Sequence, residues 1–174
     1  MKNIIIIIII SIYIVSCTKI EKEENFINEI IPEHQSWNPI IILTRDGIKR
    51  SIISANRMLQ SEKNNEIVLE KQIDADLFSK DEVHMSNLKS NKAVIFEKTD
   101  NLLAIGNVKV FSDSGITLYT DSLIWNNKKE KIFSNDSIML TTNLNDTLYG
   151  IGFESNVDLT HWKIKNPWGV SSEN

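Results

Sequence analysis

Cysteine, proline and histidine are all scarce in this chain. One cysteine among 174 residues excludes a disulfide framework, a CxxC redox pair and a thiolate metal site. Three prolines occur, and none lies between Pro39 and Pro167, so this stretch can hold an uninterrupted sheet. The histidines are His34, His84 and His161, which are far apart and do not fit HxH or HExxH spacing. We therefore expect no metal site.

The usual motifs of catalysis and of nucleic-acid binding are also missing. The formal net charge is −4, and no basic patch is interleaved with aromatic residues, so we expect no nucleic-acid partner. No GxSxG nucleophile elbow occurs, and Gly150-Ile151-Gly152 lacks the rest of a phosphate-binding loop. Asp121 and Glu154 could form a glycosidase pair, but we favour polar residues at strand ends. The sequence thus predicts neither an enzyme nor a cofactor.

The longest apolar run lies at the start of the chain, in residues 4–15, where only Ser11 interrupts it. As a helix it would cover about 18 Å, against a bilayer hydrocarbon core of about 30 Å, so it is too short to span comfortably. Its length suits the apolar region of a secretory signal, and Lys2 supplies the short basic start. The run ends in Ile14-Val15-Ser16-Cys17, which resembles the end of a bacterial lipoprotein signal.

The lipoprotein resemblance implies that residues 1–16 are a signal peptide and that Cys17 is lipidated. An ordinary signal that ends near a buried cysteine is the alternative. Each buried CH₂ of an acyl chain contributes about 0.8 kcal/mol, and two or more chains hold a protein stably on a membrane. We therefore expect a lipid-anchored protein in which residues 17–36 form the lipidated cysteine and a tether, and residues 37–170 form one domain.

From Trp37 onward the sequence has the pattern of an all-β domain. Short runs of β-branched and aromatic residues alternate with polar residues, and no long amphipathic helix pattern occurs. Turn residues such as Asp46-Gly47 and Asn135-Asp136 separate the runs, while residues 54–63 fit either a helical turn or an irregular strand. The predicted strands are 40–43, 48–55, 66–69, 74–78, 83–88, 93–97, 102–111, 116–120, 122–125, 131–133, 137–142, 147–151 and 157–165.

Alternation within the later strands assigns one set of apolar side chains to an inward face. These side chains predict a continuous apolar interior. Periodicity does not distinguish a fully packed core, as in most β-sandwiches, from an interior that is open enough to admit an apolar ligand. The inward set is Val108, Val110, Ile116, Leu118, Leu123, Trp125, Ile132, Ile138, Leu140, Ile151 and Phe153.

The C-terminal half holds an ordered set of short motifs, which are Gly106-Asn107-Val108, Gly115, LYTDSLIWN (118–126), Ile132-Phe133-Ser134 and GIGFES (150–155). This ordered set resembles the LptC family, the periplasmic component of lipopolysaccharide export. The resemblance covers roughly residues 40–169 and is strongest over residues 100–160. One departure lies at the N-terminus, where many family members have a full transmembrane helix and this chain has a short segment ending at Cys17.

The resemblance implies a twisted, partly open β-jellyroll of the OstA/LptA-like type. Its interior would receive the acyl chains of lipopolysaccharide from the inner-membrane ABC transporter subunits, whose ATP hydrolysis drives movement. A periplasmic LptA-like jellyroll would join by edge-strand addition, with residues 157–165 as a candidate edge. The family implies the periplasmic face of the inner membrane, although the sequence does not say which membrane holds the anchor. The alternative is a structural or scaffolding envelope lipoprotein with a packed β core and no lipid cargo.

Overall fold

The computed structural model describes residues 34–61, 63–144 and 146–168, and this part of the chain is all-β. The predicted signal, Cys17 and most of the tether lie outside the described residues. Within the described ranges, no helix is long and apolar enough to cross a membrane. The strands are β1 (His34–Trp37), β2 (Ile40–Arg45), β3 (Ile48–Ser54), β4 (Arg57–Ser61), β5 (Glu66–Phe78), β6 (His84–Phe96), β7 (Asn101–Ser112), β8 (Thr117–Asn126), β9 (Lys131–Thr141), β10 (Thr147–Asn156) and β11 (Trp162–Trp168).

The strands form one antiparallel sheet in the order β1-β4-β5-β6-β7-β8-β9-β10-β11. From β4 to β11, each strand pairs with its neighbour in the chain. The 13-residue strand β5 is shared, because residues 66–70 pair with β4 and residues 74–77 pair with β3. The β2–β3 hairpin therefore extends the second half of β5, while β1 and β4 extend the first half.

The long strands bend at a common level, where the pairing register shifts. The shifts fall after residue 70 of β5, 89 of β6, 105 of β7, 120 of β8 and 151 of β10. Such bulges bend a strand and increase its twist. Side chains from both sides of this bulge line, such as Leu118 before it and Trp125 after it, belong to one buried cluster. The sheet therefore folds over on itself around a single core, as a partly open β-jellyroll.

Several of the predicted short strands are halves of longer, bulged strands. The runs 66–69 and 74–78 are both in β5, and 131–133 and 137–142 are both in β9. Asn135-Asp136 is therefore not a turn, because the chain continues through it with a register shift. Residues 57–61 form β4, so the ambiguous segment 54–63 contains a strand.

The two ends of the domain also differ from the sequence expectation. Residues 34–36, which we assigned to the tether, pair with β4 as part of β1. The predicted last strand, 157–165, is interrupted, because β10 ends at Asn156 and β11 begins only at Trp162. Between them, Val157 and Leu159 turn inward and are 5% and 0% exposed, so this connection closes the end of the core.

Candidate functional site

The interior of the jellyroll is the first candidate site, and it is lined by apolar side chains. Of the eleven side chains predicted to point inward, nine are at most 2% exposed, and Ile116 is half-buried against the same cluster. Alternation alone was sufficient to find them, because each lies in a strand half with one face against the core. The nine are Val108, Val110, Leu118, Leu123, Trp125, Ile132, Ile138, Leu140 and Phe153.

Ile151 does not belong to this interior, and its predicted inward orientation is wrong. Its side chain is 46% exposed, whereas Phe153, two residues further on, is fully buried. The register between β9 and β10 shifts between these two residues, and Gly152 has a φ of +77°. The extra residue of the bulge reverses the alternation, so residues two apart point to opposite faces.

The N-terminal half of the sheet supplies as much of the interior as the C-terminal half. Its contribution was not in the predicted set, although the same alternation is present in β5 and β6. Fully burying one such side chain contributes roughly 1.5–3 kcal/mol. The interior is thus filled by the protein's own side chains, among them Ile53, Leu69, Ile73, Leu77, Leu88, Ile95 and Leu102, each at most 2% exposed.

A few polar groups are buried inside this apolar interior. Thr120 and Ser134 hydrogen-bond through their hydroxyls at 2.9 Å, beside the bulges of β8 and β9. The hydroxyls of Ser51 and Ser86 and the indole N–H of Trp125 are buried without a hydrogen-bond partner. A buried donor left unpaired costs roughly 1–3 kcal/mol, so these groups would be stabilised by any polar partner that entered.

Besides the backbone pairing of β3 with β5, side-chain hydrogen bonds to backbone carbonyls join the β2–β3 hairpin and the β7–β8 turn to other turns. Arg45 donates from Nη1 to the carbonyl oxygens of Asn127 and Lys128, at 3.2 and 2.9 Å. On the other side, the hydroxyl of Ser114 donates to the carbonyl of Asp158 at 3.0 Å. These contacts join turns that belong to different parts of the folded sheet.

The sheet has unpaired edges, which are the second feature of functional interest. In the described ranges, β11 pairs only with β10, β1 only with β4, and β2 only with β3. The edge strand β11 is mostly exposed, and its half-buried Ile164 packs on Gly150, where an added Cβ would lie 2.1 Å from Ile164 Cγ2. The N-terminal edge is exposed and apolar at Trp37, Ile40 and Ile42.

Two side chains at the surface have shifted acidity. His84 Nδ1 lies 2.8 Å from Asp113 Oδ2 and Nε2 lies 3.3 Å from Asp76 Oδ1. The hydrogen bond to Asp113 is the main cause that raises the pKa of His84 above its ordinary value, and burial acts against it. The hydrogen bond from Lys131 lowers the pKa of the exposed Glu154. Over the described stretches, no three His, Cys, Asp or Glu side chains are placed to hold a metal ion.

Comparison with known families gives a match that covers nearly the whole chain. A family model described as "Lipopolysaccharide-assembly, LptC-related" matches residues 4–167. No curated protein matches the chain. The match includes the isoleucine-rich start and all eleven strands, except for Trp168, the last residue of β11. The family is a periplasmic transport component associated with the inner membrane, and it has a role in lipopolysaccharide export. With its all-β, partly open jellyroll and a match of this extent, the chain belongs to the LptC-related family of lipopolysaccharide-assembly proteins.

Proposed function

We propose that this protein receives lipopolysaccharide from the inner-membrane ABC transporter in its apolar interior and passes it toward the outer membrane. The observation that carries the proposal is the single apolar interior inside a sheet with unpaired edges, in a chain of the LptC-related family. An acyl chain of about twelve CH₂ groups costs on the order of 10 kcal/mol to expose to water. An apolar interior on the route would lower that barrier.

Cargo can enter this interior only if the folded sheet opens. Leu118 and Leu123 are fully buried and Trp125 is 1% exposed, so the protein's own side chains fill the interior. The unpaired edges and the few polar contacts between turns provide a route for opening, because no backbone ladder has to break there. Opening would also give Trp125 Nε1 access to a hydrogen-bond acceptor.

The proposed partners are inferred from the unpaired edges of the sheet and from the N-terminal segment of the chain. The edge strand β11 has one side of its backbone unpaired, and a jellyroll of the LptA type could add a strand there. Transporter subunits would deliver lipopolysaccharide at the inner membrane. A lipidated Cys17 would hold the domain on the periplasmic face of that membrane, in place of a transmembrane helix.

A second candidate function is a structural or scaffolding envelope lipoprotein without lipid cargo. The observation that favours it is the tight packing of the interior, where the largest buried side chains, Trp125 and Phe153, are at most 1% exposed. A domain with a purely structural role never has to open, and a packed core of this kind is sufficient for its stability. The two candidates differ in whether lipid ever touches these side chains.

Site-specific photocrosslinking in cells separates the two candidates. A photoreactive amino acid at Leu118 or Trp125 should form adducts with lipopolysaccharide when the transporter is active. The same amino acid at Ile124, which lies on β8 but is 41% exposed on the outer face, is the matched control. Adducts at the inward positions and not at Ile124 support transfer. If folded, abundant protein gives no adduct at any inward position, the scaffold function is correct.

A further inference from the structure

A polar pocket of about 510 Å³ lies at one end of the sheet, where three turns meet. Arg45 is the last residue of β2, next to the β2–β3 turn, while Lys98 comes from the β6–β7 turn and Lys128 and Lys129 come from the β8–β9 turn. Residues distant in the sequence are therefore placed around one space. The pocket is separate from the apolar interior, and the role in lipopolysaccharide export leaves it without an assigned ligand.

The pocket is strongly cationic in an otherwise acidic chain. Four of its nine lining residues are Lys or Arg and only Asp100 is acidic, whereas the formal net charge of the whole chain is −4. Within the described parts, no carboxylate forms an ion pair with Lys98 or Lys128. Like charges held close together repel one another, and an anion between them would remove this repulsion.

The walls of the pocket are fixed by hydrogen bonds. Arg45 Nη1 is held by the carbonyl oxygens of Asn127 and Lys128, while its Nε lies 3.8 Å from the exposed carboxylate of Asp46. The backbone N–H of Asn127 donates to Asn101 Oδ1 at 3.1 Å, so the two turns are joined. Asn127 is 2% exposed, and its buried Oδ1 has no hydrogen-bond partner. The cations are thus presented by an ordered frame.

We propose that this pocket binds a phosphomonoester or pyrophosphate group. Such a group carries about −1.5 to −2 charges per phosphate at pH 7 and three strong acceptor oxygens, which suits several cations that converge from separate turns. A carboxylate, with one charge and two oxygens, would leave most of these cations unpaired. The volume has room for more than one phosphate, so the group can be attached to a larger molecule.

The pocket lies beside one end of the apolar interior. Leu102 and Trp125 pair across β7 and β8 in the last core layer, and Asn101 and Asn126 next to them line the pocket. A phosphate bound here would lie next to the apolar interior, as the headgroup of a lipid would. The site does not depend on the proposed transfer function, since dissolved phosphate compounds offer the same chemistry.

The test measures binding of sodium pyrophosphate to the full-length chain in neutral-detergent solution at low salt, by calorimetry. The variant K98E/K128E reverses two exposed pocket charges, and K71E/K80E makes the same change at exposed lysines outside the pocket. We expect the pocket variant to bind at least about tenfold more weakly than the wild type, with the control variant unchanged. Thermal unfolding by circular dichroism checks that both variants fold.

A second arm distinguishes free phosphate from lipid-borne phosphate. The chain is placed in phosphatidylcholine discs that contain either phosphatidic acid, a phosphomonoester, or phosphatidylglycerol, a phosphodiester of similar surface charge. If pyrophosphate binds more weakly in the phosphatidic acid discs than in the phosphatidylglycerol discs, the pocket is assigned to a lipid headgroup. If pyrophosphate binds equally well in the two kinds of disc, the pocket is assigned to a free anion. The proposal is overturned if the wild type does not bind pyrophosphate, or if K98E/K128E binds it as well as the wild type does. Photocrosslinking at Leu118 is independent of either result.

Discussion

The guanidinium of Arg50 lies 3.0 Å from the carboxylate of Glu130 and ties β3 to the turn between β8 and β9. The Arg50 side chain is 5% exposed, whereas that of Glu130 is 44% exposed, so a nearly buried cation depends on a partner at the surface. The desolvation of such a cation is offset only while its partner is present. This pair therefore fastens the β2–β3 hairpin over the core.

Replacing Glu130 by Ala should destabilise the domain, because Arg50 would stay buried without its partner. We expect the free energy of unfolding to fall by about 1–3 kcal/mol, as measured by urea denaturation. Asp46→Asn is the control, since Asp46 lies 3.8 Å from Arg45 and is 87% exposed, and such a pair contributes little. Equal stability of Glu130→Ala and the wild type would show that the pair does not fasten the hairpin.

The bulge in β10 predicts unequal losses of stability on replacing two apolar residues that are only two positions apart. Phe153→Ala removes a fully buried ring and should lower the free energy of unfolding by about 3–5 kcal/mol. Ile151→Ala changes a half-exposed side chain on the outer face and should lower the free energy of unfolding by less than about 1 kcal/mol. Chemical denaturation of both variants measures the difference, and similar losses would contradict the reversed alternation.

The contacts of His84 predict a pH-dependent contribution to stability. Its pKa in the folded chain is raised above 6.5 mainly by the hydrogen bond to Asp113, so the charged imidazolium stabilises the folded state. This contribution is fully present below the unfolded value of about 6.5, and it is lost as the pH rises through the higher folded value. Because the His84 side chain is 37% exposed, we expect this loss to lower the free energy of unfolding by less than about 1 kcal/mol.

Urea denaturation between about pH 6 and pH 8 checks this direction. The wild type should lose stability relative to His84→Gln across that range. His161→Gln is the control, because His161 lies in the turn before β11 and contacts no carboxylate in the described structure. A wild type and a His84→Gln variant with the same pH dependence would rule out the contribution.

The proposed anchor predicts the location of a single-residue variant. Cys17→Ser removes the thiol that would carry the acyl chains, so we expect the variant to leave the membrane fraction. Cell fractionation with immunoblotting measures this, and Ser16→Ala is a neighbouring control that keeps the cysteine. A Cys17→Ser protein that stays fully in the membrane fraction would refute lipid anchoring.

Composition and alternation were sufficient to predict the all-β class and the C-terminal half of the interior, since both depend on local patterns. The same patterns could not separate a bulge from a turn. Asn135-Asp136 is polar and exposed enough for a turn, but whether the chain reverses there depends on the neighbouring strands. The orientation of Ile151 was wrongly predicted for the same reason, because the bulge between Ile151 and Phe153 places these two residues on opposite faces.

The N-terminal strands needed information that no local pattern carries. Residues 34–37 pair with β4 rather than with the next strand, β2, so their place in the sheet depends on a contact across two other strands. The cationic pocket likewise consists of turns whose residues are up to 84 positions apart, Arg45 to Lys129. In the sequence, each of these lysines looks like an ordinary solvent-exposed residue of a turn.

The strand order also has a consequence for how the domain folds. Because each strand from β4 to β11 pairs with its neighbour in the chain, the loops that must close are short and their entropic cost is small. Hairpins can therefore add one after another onto the growing sheet, and only β1–β4 and β3–β5 join strands that are not consecutive. Relative to Greek-key sandwiches of similar length, this lower contact order predicts faster folding. A chain that begins to fold before its last strand is available can assemble in order, strand by strand.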